Sequence, residues 1–145
     1  MPRRAALATL LALAACREDP NALRNQGEDC VSCHKPDGKA PRALFTVSGT
    51  IFRSAGGEPR ETGARDVALT LTDASGRQLE LKTNPGGNFY SREALRFPVR
   101  VALRTAPDGA PRLGPEGVCA HGDCNLCHSY EKPVAGARGR LVQPP

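Results

Sequence analysis

Two short cysteine motifs carry most of the chemistry that this sequence could perform. Positions 30–34 read CVSCH and positions 124–128 read CNLCH. Each is a Cys-x-x-Cys-His motif, the attachment signature of a c-type haem. Two thiols at this spacing can each add to one vinyl group of a porphyrin, and the adjacent histidine can bind the iron. The chain is therefore predicted to carry two covalent haem c groups, with these residues as the site: Cys30, Cys33, Cys124 and Cys127 for attachment, His34 and His128 as axial ligands.

Two other assignments of the same cysteines stay open. Two Cys-x-x-Cys pairs could close one tetrahedral zinc site, although zinc does not require a histidine directly after both pairs. Each pair could instead form a local disulfide, which closes a very small loop and adds little stability. Either assignment predicts a non-enzymatic envelope lipoprotein, a braced β-sandwich binding module, in place of an electron carrier.

The second axial ligand of each haem is restricted by composition. Met1 is the only methionine, and it lies in the predicted export signal, so methionine ligation from the mature chain is excluded. Of the three histidines, only His121 is left as a candidate distal ligand. At most one haem can then be bis-histidine. The other would be five-coordinate, use Cys119 or a lysine, or borrow a residue from a second copy of the chain.

Cys119 is the cysteine left over once lipid and haem are assigned. We favour an inert small hydrophobe or a disulfide partner over a metal ligand for this thiol.

The N-terminal residues predict export and lipid anchoring. Arg3 and Arg4 precede an uncharged stretch at 5–15, which has the length of a signal-peptide apolar region and is too short to span a bilayer. The stretch ends in LAAC at 13–16, which resembles the lipobox of bacterial lipoproteins. The resemblance implies cleavage before Cys16 and lipidation of Cys16. Arg17 after that cysteine favours the outer membrane, at its periplasmic or cell-surface face.

The net charge and the absence of enzyme motifs limit the classes of partner and activity that we expect. The net charge is +5 and falls by two when the export signal leaves, with no concentrated basic run. Nucleic acid binding is therefore not expected, and the predicted partners are the membrane, through the lipid, and redox proteins. No Ser-His-Asp set, Walker-type loop or metalloprotease motif is present, so we do not expect an enzyme. A peroxidase stays open because one haem could keep a free iron position.

The middle of the chain has the pattern of an all-β domain. Apolar residues alternate with polar ones at 45–51, 67–71 and 99–103, and turn-forming sequences separate these runs. We expect no helix between 44 and 105 and a small antiparallel β-sandwich. The predicted core is Phe45, Ile51, Val67, Leu69, Leu81, Phe89, Phe97 and Val101. The predicted organisation is an export signal at 1–15, a tether at 16–29, a first haem segment at 30–43, the sandwich at 44–105, a linker at 106–118 and a second haem segment at 119–145.

The sandwich resembles a known family. The segments VSGTI at 47–51, GARDVAL at 63–69, TDASG at 72–76 and TNPGGNF at 83–89 are similar to the carboxypeptidase regulatory-like, or transthyretin-like, domain. That resemblance covers about residues 44–105 and implies a seven-stranded sandwich with no chemistry of its own. The whole chain, with GRL at 139–141, more loosely resembles exported c-type cytochrome lipoproteins.

Overall fold

The computed structural model describes residues 25–104, 111–113, 118–128, 137 and 139–143. The predicted export signal, Cys16 and most of the predicted tether lie outside these residues. The strands are β1 (Val47–Phe52), β2 (Ala68–Thr72), β3 (Gln78–Lys82), β4 (Asn88–Ser91), β5 (Arg100–Arg104), β6 (Pro111–Leu113) and β7 (Leu141–Val142). The helices are single turns: α1 (Cys30–Cys33), α2 (Pro59–Thr62) and α3 (Cys124–Cys127).

The described strands form two sheets, so the chain is mainly β as predicted. One sheet has three strands in the order β4-β1-β7, and the other has four in the order β3-β2-β5-β6. All of these pairings are antiparallel except that of β1 with β7. β6 and β7 come from the ranges 106–118 and 119–145, C-terminal to the predicted sandwich.

The predicted turns form where the sequence placed them. Asp73-Ala74-Ser75-Gly76 connects β2 to β3, with Gly76 at a positive φ of 84° and the Asp73 carboxylate accepting the N–H groups of Ser75 and Arg77. In the next turn Asn84 accepts from Gly86 N–H and Asn88 N–H. The Asp and Asn side chains accept hydrogen bonds from turn N–H groups that have no strand partner, which explains why these residue types occur in the turns.

Both sheets contribute to one hydrophobic core. Its fully buried members include Ile51 and Phe89 from the first sheet and Leu69 and Leu103 from the second. Predicted core residues Ile51, Val67, Leu69 and Phe89 are buried, whereas Leu81, Phe97 and Val101 are partly buried against this cluster. The shared core is what holds the two sheets to each other.

Three sequence expectations need correction. Phe45 is not in the core: it is half-buried, with its ring stacked between two other rings. α2 forms inside the range where no helix was expected, because Pro59 suits the first position of a helical turn. The predicted alternation of β1 is also absent, since all six of its residues are buried. The segment around the second motif covers β1 through hydrogen bonds to Ser48 and Thr50.

Candidate haem attachment sites

Each cysteine motif folds as one helical turn between an aspartate and its histidine. Asp29 accepts a hydrogen bond from Ser32 N–H at 2.8 Å, and Asp123 accepts from Asn125 N–H at 2.9 Å. Each motif histidine closes the turn through its backbone N–H. An aspartate before each motif is a standard helix N-cap signal that the sequence analysis missed. The caps place both thiols of a motif and its histidine on one short, defined turn.

Both motif histidines have one ring nitrogen occupied and the other left for a ligand bond. His34 Nδ1 lies 2.6 Å from the carbonyl oxygen of Ala43, and His128 Nδ1 lies 3.1 Å from that of Gly139. A carbonyl only accepts, so Nδ1 carries the proton in each ring and the lone pair is on Nε2. This is how metal-binding histidines are usually oriented in proteins.

The ring of His34 is also fixed by stacking. It lies against Phe45 with ring centroids 3.8 Å apart, and Phe45 stacks in turn on Tyr90 at 4.4 Å. Tyr90 is 47% exposed, so the ladder leads from the histidine to the surface. This contact explains why Phe45 lies outside the core.

The carbonyl that orients His128 is positioned by the C-terminal strand. Gly139 precedes β7, whose Leu141 pairs with Ile51 of β1. Between them, buried Arg140 donates to the carbonyl of Gly57 at 2.8 Å and lies over the ring of Phe52 at 4.6 Å. The GRL segment therefore ties the second histidine to the first sheet.

Two contacts bring the distant motifs together. Asp123 uses Oδ1 to cap its own helix and Oδ2 to accept from Val31 N–H in the first motif, at 3.0 Å. Asn125 of the second motif donates to the carbonyl of Glu28 at 2.8 Å. A single buried carboxylate therefore caps both helices.

Asp29 and Asp123 form a carboxyl pair between the motifs. Burial and the hydrogen bond with Asp29 raise the pKa of Asp123 to about 7. The same hydrogen bond lowers the pKa of Asp29 from its ordinary value. Two neighbouring carboxyls behave in this way when they share one proton, because both cannot easily be charged at short range.

The second motif is anchored in the protein interior. Asn125 is 2% exposed, and its Oδ1 accepts from Thr50 N–H of β1 at 2.9 Å. Just before the motif, the Gly122 carbonyl accepts from Ser48 N–H at 2.7 Å. These bonds satisfy the edge of β1 that β7 leaves open at Ser48 and Thr50, and both residues are fully buried.

The five described cysteines are free thiols, in different surroundings. Cys30, Cys33, Cys119 and Cys127 are half-buried, whereas Cys124 is 1% exposed. Burial is the main cause that raises the pKa of Cys30 to about 11. Cys119 lies with its sulfur 3.9 Å from that of Cys124. This hydrogen bond lowers the pKa of Cys119 to about 7, and together with burial it raises that of Cys124.

The surroundings of His121 and of the motif cysteines bear on the predicted distal ligand and on the zinc alternative. His121 is exposed, on the turn that precedes Asp123. Among the described residues, no three His, Cys, Asp or Glu side chains converge on a point that could hold a metal ion. The four motif cysteines therefore do not form a ready-made tetrahedral site in the part of the chain that is described.

Comparison with known proteins gives no assignment. No family model, no curated protein and no solved structure matches the chain. Within the described ranges, no helix is both long enough and apolar enough to cross a membrane.

Proposed function

We propose that this chain is a dihaem c-type cytochrome that transfers electrons outside the cytoplasm. The observation that carries the proposal is the repeated donor set. In each motif, two thiols lie on one helical turn, and the next residue is a histidine whose Nδ1 is bonded to a backbone carbonyl. Covalent attachment of a haem uses one thiol for each of its two vinyl groups and a histidine for the iron, which is the set of groups that each motif supplies.

In the first motif, the donor groups that a haem would need are in part accessible. Cys30 and Cys33 are both partly accessible, and His34 keeps Nε2 available. His128 of the second motif fits equally well, and Cys127 is partly accessible. Cys124 is the exception, because its thiol is enclosed by the core. Attachment at the second site therefore needs this thiol to turn out of its packed position.

Within the proposed carrier, each group of residues has a definite task. A bound haem would supply the one-electron chemistry. The motif cysteines would hold it covalently, so that an exported carrier does not lose its cofactor. The carbonyls of Ala43 and Gly139 would orient the histidines and increase their donor strength. The Asp123 and Asn125 bridges would keep the two sites adjacent, which favours electron exchange between them.

The remaining parts of the proposal come from the sequence. Lipid on Cys16 would hold the protein at the outer membrane, where redox proteins would be its partners. The β-sheets would be a carboxypeptidase regulatory-like sandwich that spaces the haems or docks a partner. His121 would be the distal ligand of at most one haem, and a second copy of the chain could complete the other.

The test is an intact mass and an absorbance difference spectrum. The full chain is exported from a bacterial host with c-haem attachment machinery and compared with His34→Ala and His128→Ala variants. We expect the added mass of two haems and sharp reduced bands, with each variant changing the spectrum of one haem. Zinc, or an unmodified mass without iron, would overturn the proposal.

One observation favours a second candidate. The buried thiol of Cys124 beside Cys119 suits a disulfide-braced envelope lipoprotein that binds another molecule and carries no haem. Iron analysis of the same preparation separates the two candidates. A folded protein that is free of iron after export through the maturation machinery would refute the first candidate, and a Cys119–Cys124 disulfide in that protein would favour the second.

A further inference from the structure

The strongest feature outside the donor sets is the contact between Cys119 and Cys124. Their sulfur atoms are 3.9 Å apart, and a disulfide needs about 2.05 Å. A change in side-chain torsions is the kind of movement that closes such a gap. Among the described cysteines, no other pair of sulfurs lies within hydrogen-bond distance.

The backbone on both sides of this contact is held firmly. Cys119 exchanges two backbone hydrogen bonds with Val99, each 2.9 Å long. Cys124 begins α3 and packs on β1 so closely that a Cβ on Gly49 would lie 2.9 Å from its own Cβ. Cys119 is therefore fixed to the residue just before β5 of the second sheet, and Cys124 is fixed on β1 of the first sheet.

The direction of the Cys124 side chain distinguishes it from the other motif cysteines. It belongs to the hydrophobic core, while Cys127, three positions later, is partly accessible. Among the described cysteines, the one sulfur within hydrogen-bond distance of this thiol is that of Cys119, which is outside the motif. The cysteine that should receive a vinyl group is thus already matched with a different partner.

We propose that Cys119 and Cys124 form a reversible disulfide, and that this bond blocks haem attachment at the second motif. The inference rests on the proposed haem function only for its second clause. The oxidant is a protein disulfide of the kind found in exported thiol oxidases. One thiolate attacks a sulfur of that disulfide and forms a mixed disulfide. The second thiolate then displaces the oxidant's other thiol.

The reaction balances. Two S–H bonds and the oxidant's S–S bond are lost, one new S–S bond forms between Cys119 and Cys124, and the oxidant leaves as a dithiol that holds both protons and both electrons. A dithiol reductant reverses each step. Addition of Cys124 to a vinyl group requires its free thiol, so only the reduced chain can complete the second site. The first motif has no such competing partner in the described residues.

The experiment follows both cysteine pairing and haem occupancy. The full chain is exported from hosts with and without haem attachment machinery, and free thiols are alkylated at low pH before non-reducing peptide mass mapping. In the haem-free preparation we expect a peptide linked through Cys119 and Cys124. In the preparation from the host with haem attachment machinery, we expect a lower haem occupancy at the second motif than at the first.

A Cys119→Ser variant tests the consequence, and Cys119→Ala repeats it with an apolar residue in case the hydroxyl disturbs packing. Each is expected to bring occupancy of the second motif up to that of the first, which serves as the internal control. Alkylated Cys119 in the folded, oxidised wild type, or links only within the motifs, would overturn the proposal. So would an unchanged occupancy ratio. Absence of haem at both motifs would refute the proposed function, while the linked peptide would still decide the pairing.

Discussion

The two motifs share a sequence pattern and a local fold but differ in how they join the rest of the molecule. α1 and α3 are both single turns with an aspartate cap and a terminal histidine. α1 contains no buried residue, whereas α3 buries both Cys124 and Asn125. One motif is attached to the surface of the fold, and the other is a part of its interior.

The difference arises at the position after the first cysteine. Val31 offers β1 no hydrogen bond, while Asn125 at the equivalent place bonds to Thr50 of β1 and to Glu28. A polar side chain thereby turns the second motif into a cover for a strand edge. The Cys-x-x-Cys-His pattern therefore sets the local turn, and its variable positions decide how the turn is packed.

The largest effect is expected at Asn125. Asn125→Ala leaves the buried N–H of Thr50 without its partner and removes one donor from the carbonyl of Glu28, an exposed residue. At about 1–3 kcal/mol for the orphaned buried group and about 1 kcal/mol for the other lost hydrogen bond, the free energy of unfolding should fall by about 3 kcal/mol. Chemical denaturation of the haem-free protein measures this loss.

Val31→Ala is the matched control at the same position of the first motif. Val31 is half-buried, and its contact with Asp123 is made by the backbone, so the loss should stay near 1 kcal/mol or below (a large-to-small change at a partly buried site). Equal losses in the two variants would show that the second motif is not anchored through Asn125.

The next effect concerns the space beneath the second motif. In Gly49→Ala the new Cβ would lie 2.6 Å from Cζ of Phe89 and 2.9 Å from Cβ of Cys124. Such overpacking costs about 2 kcal/mol of unfolding free energy. Gly56→Ala, where nothing lies within 4 Å of the added atom, should change stability by about 0.5 kcal/mol or less. A tolerated Gly49→Ala would mean that α3 can move away from β1.

The capping aspartates give a smaller, graded effect. Asp123 caps both helices and Asp29 caps only its own. Removal of a cap typically costs about 1 kcal/mol. Asp123→Ala should therefore lower the unfolding free energy by about 1.5 kcal/mol, since relief from burying a carboxyl offsets part of the two lost caps. Asp29→Ala, at an exposed site, should cost about 0.5 kcal/mol. The reverse order, measured by the same denaturation, would contradict the shared cap.

Periodicity and turn chemistry were enough to predict the β class, the turn at Asp73 and the core positions Ile51, Leu69 and Phe89. These features depend on residues that are close in sequence, so the alternation of apolar residues and the turn-forming residue types indicate them directly. The motif histidines could also be identified from the sequence, because haem attachment requires the cysteines and the histidine at a fixed spacing. Phe45 was wrongly predicted to be in the core because it continues the alternation of β1. Its stacking partner, His34, lies outside that strand, so the alternation does not indicate the contact.

Contacts between distant segments could not be predicted in this way. Asp123 reaches Val31 across 92 positions, and Asn125 reaches Thr50 across 75. No local pattern encodes such a pair, so β1 was expected to have a solvated face and Cys119 had no identified partner. The aspartate before each motif was the one readable sign that both turns would be capped.

The smallest predicted effect lies on the first motif's side of the comparison. Tyr90 is the outer ring of the stack that runs through Phe45 to His34. Tyr90→Leu removes one exposed stacking contact, which is worth about 0.5 kcal/mol. Its clearer signature should be in the nuclear magnetic resonance spectrum of the haem-free protein, where the imidazole signals of His34 move and those of His128 do not.

Tyr90→Phe keeps the ring and should leave both sets of signals in place, which separates stacking from any role of the hydroxyl. His128 is oriented through Gly139 and β7, and Arg140 holds that segment on the first sheet. In the part of the chain that the structure describes, no aromatic ring stacks on the imidazole of His128. A shift at both histidines after Tyr90→Leu would mean that the two motifs respond as one unit through Asp123. A shift at neither would mean that Phe45 and the Ala43 carbonyl fix the ring of His34 without help from Tyr90.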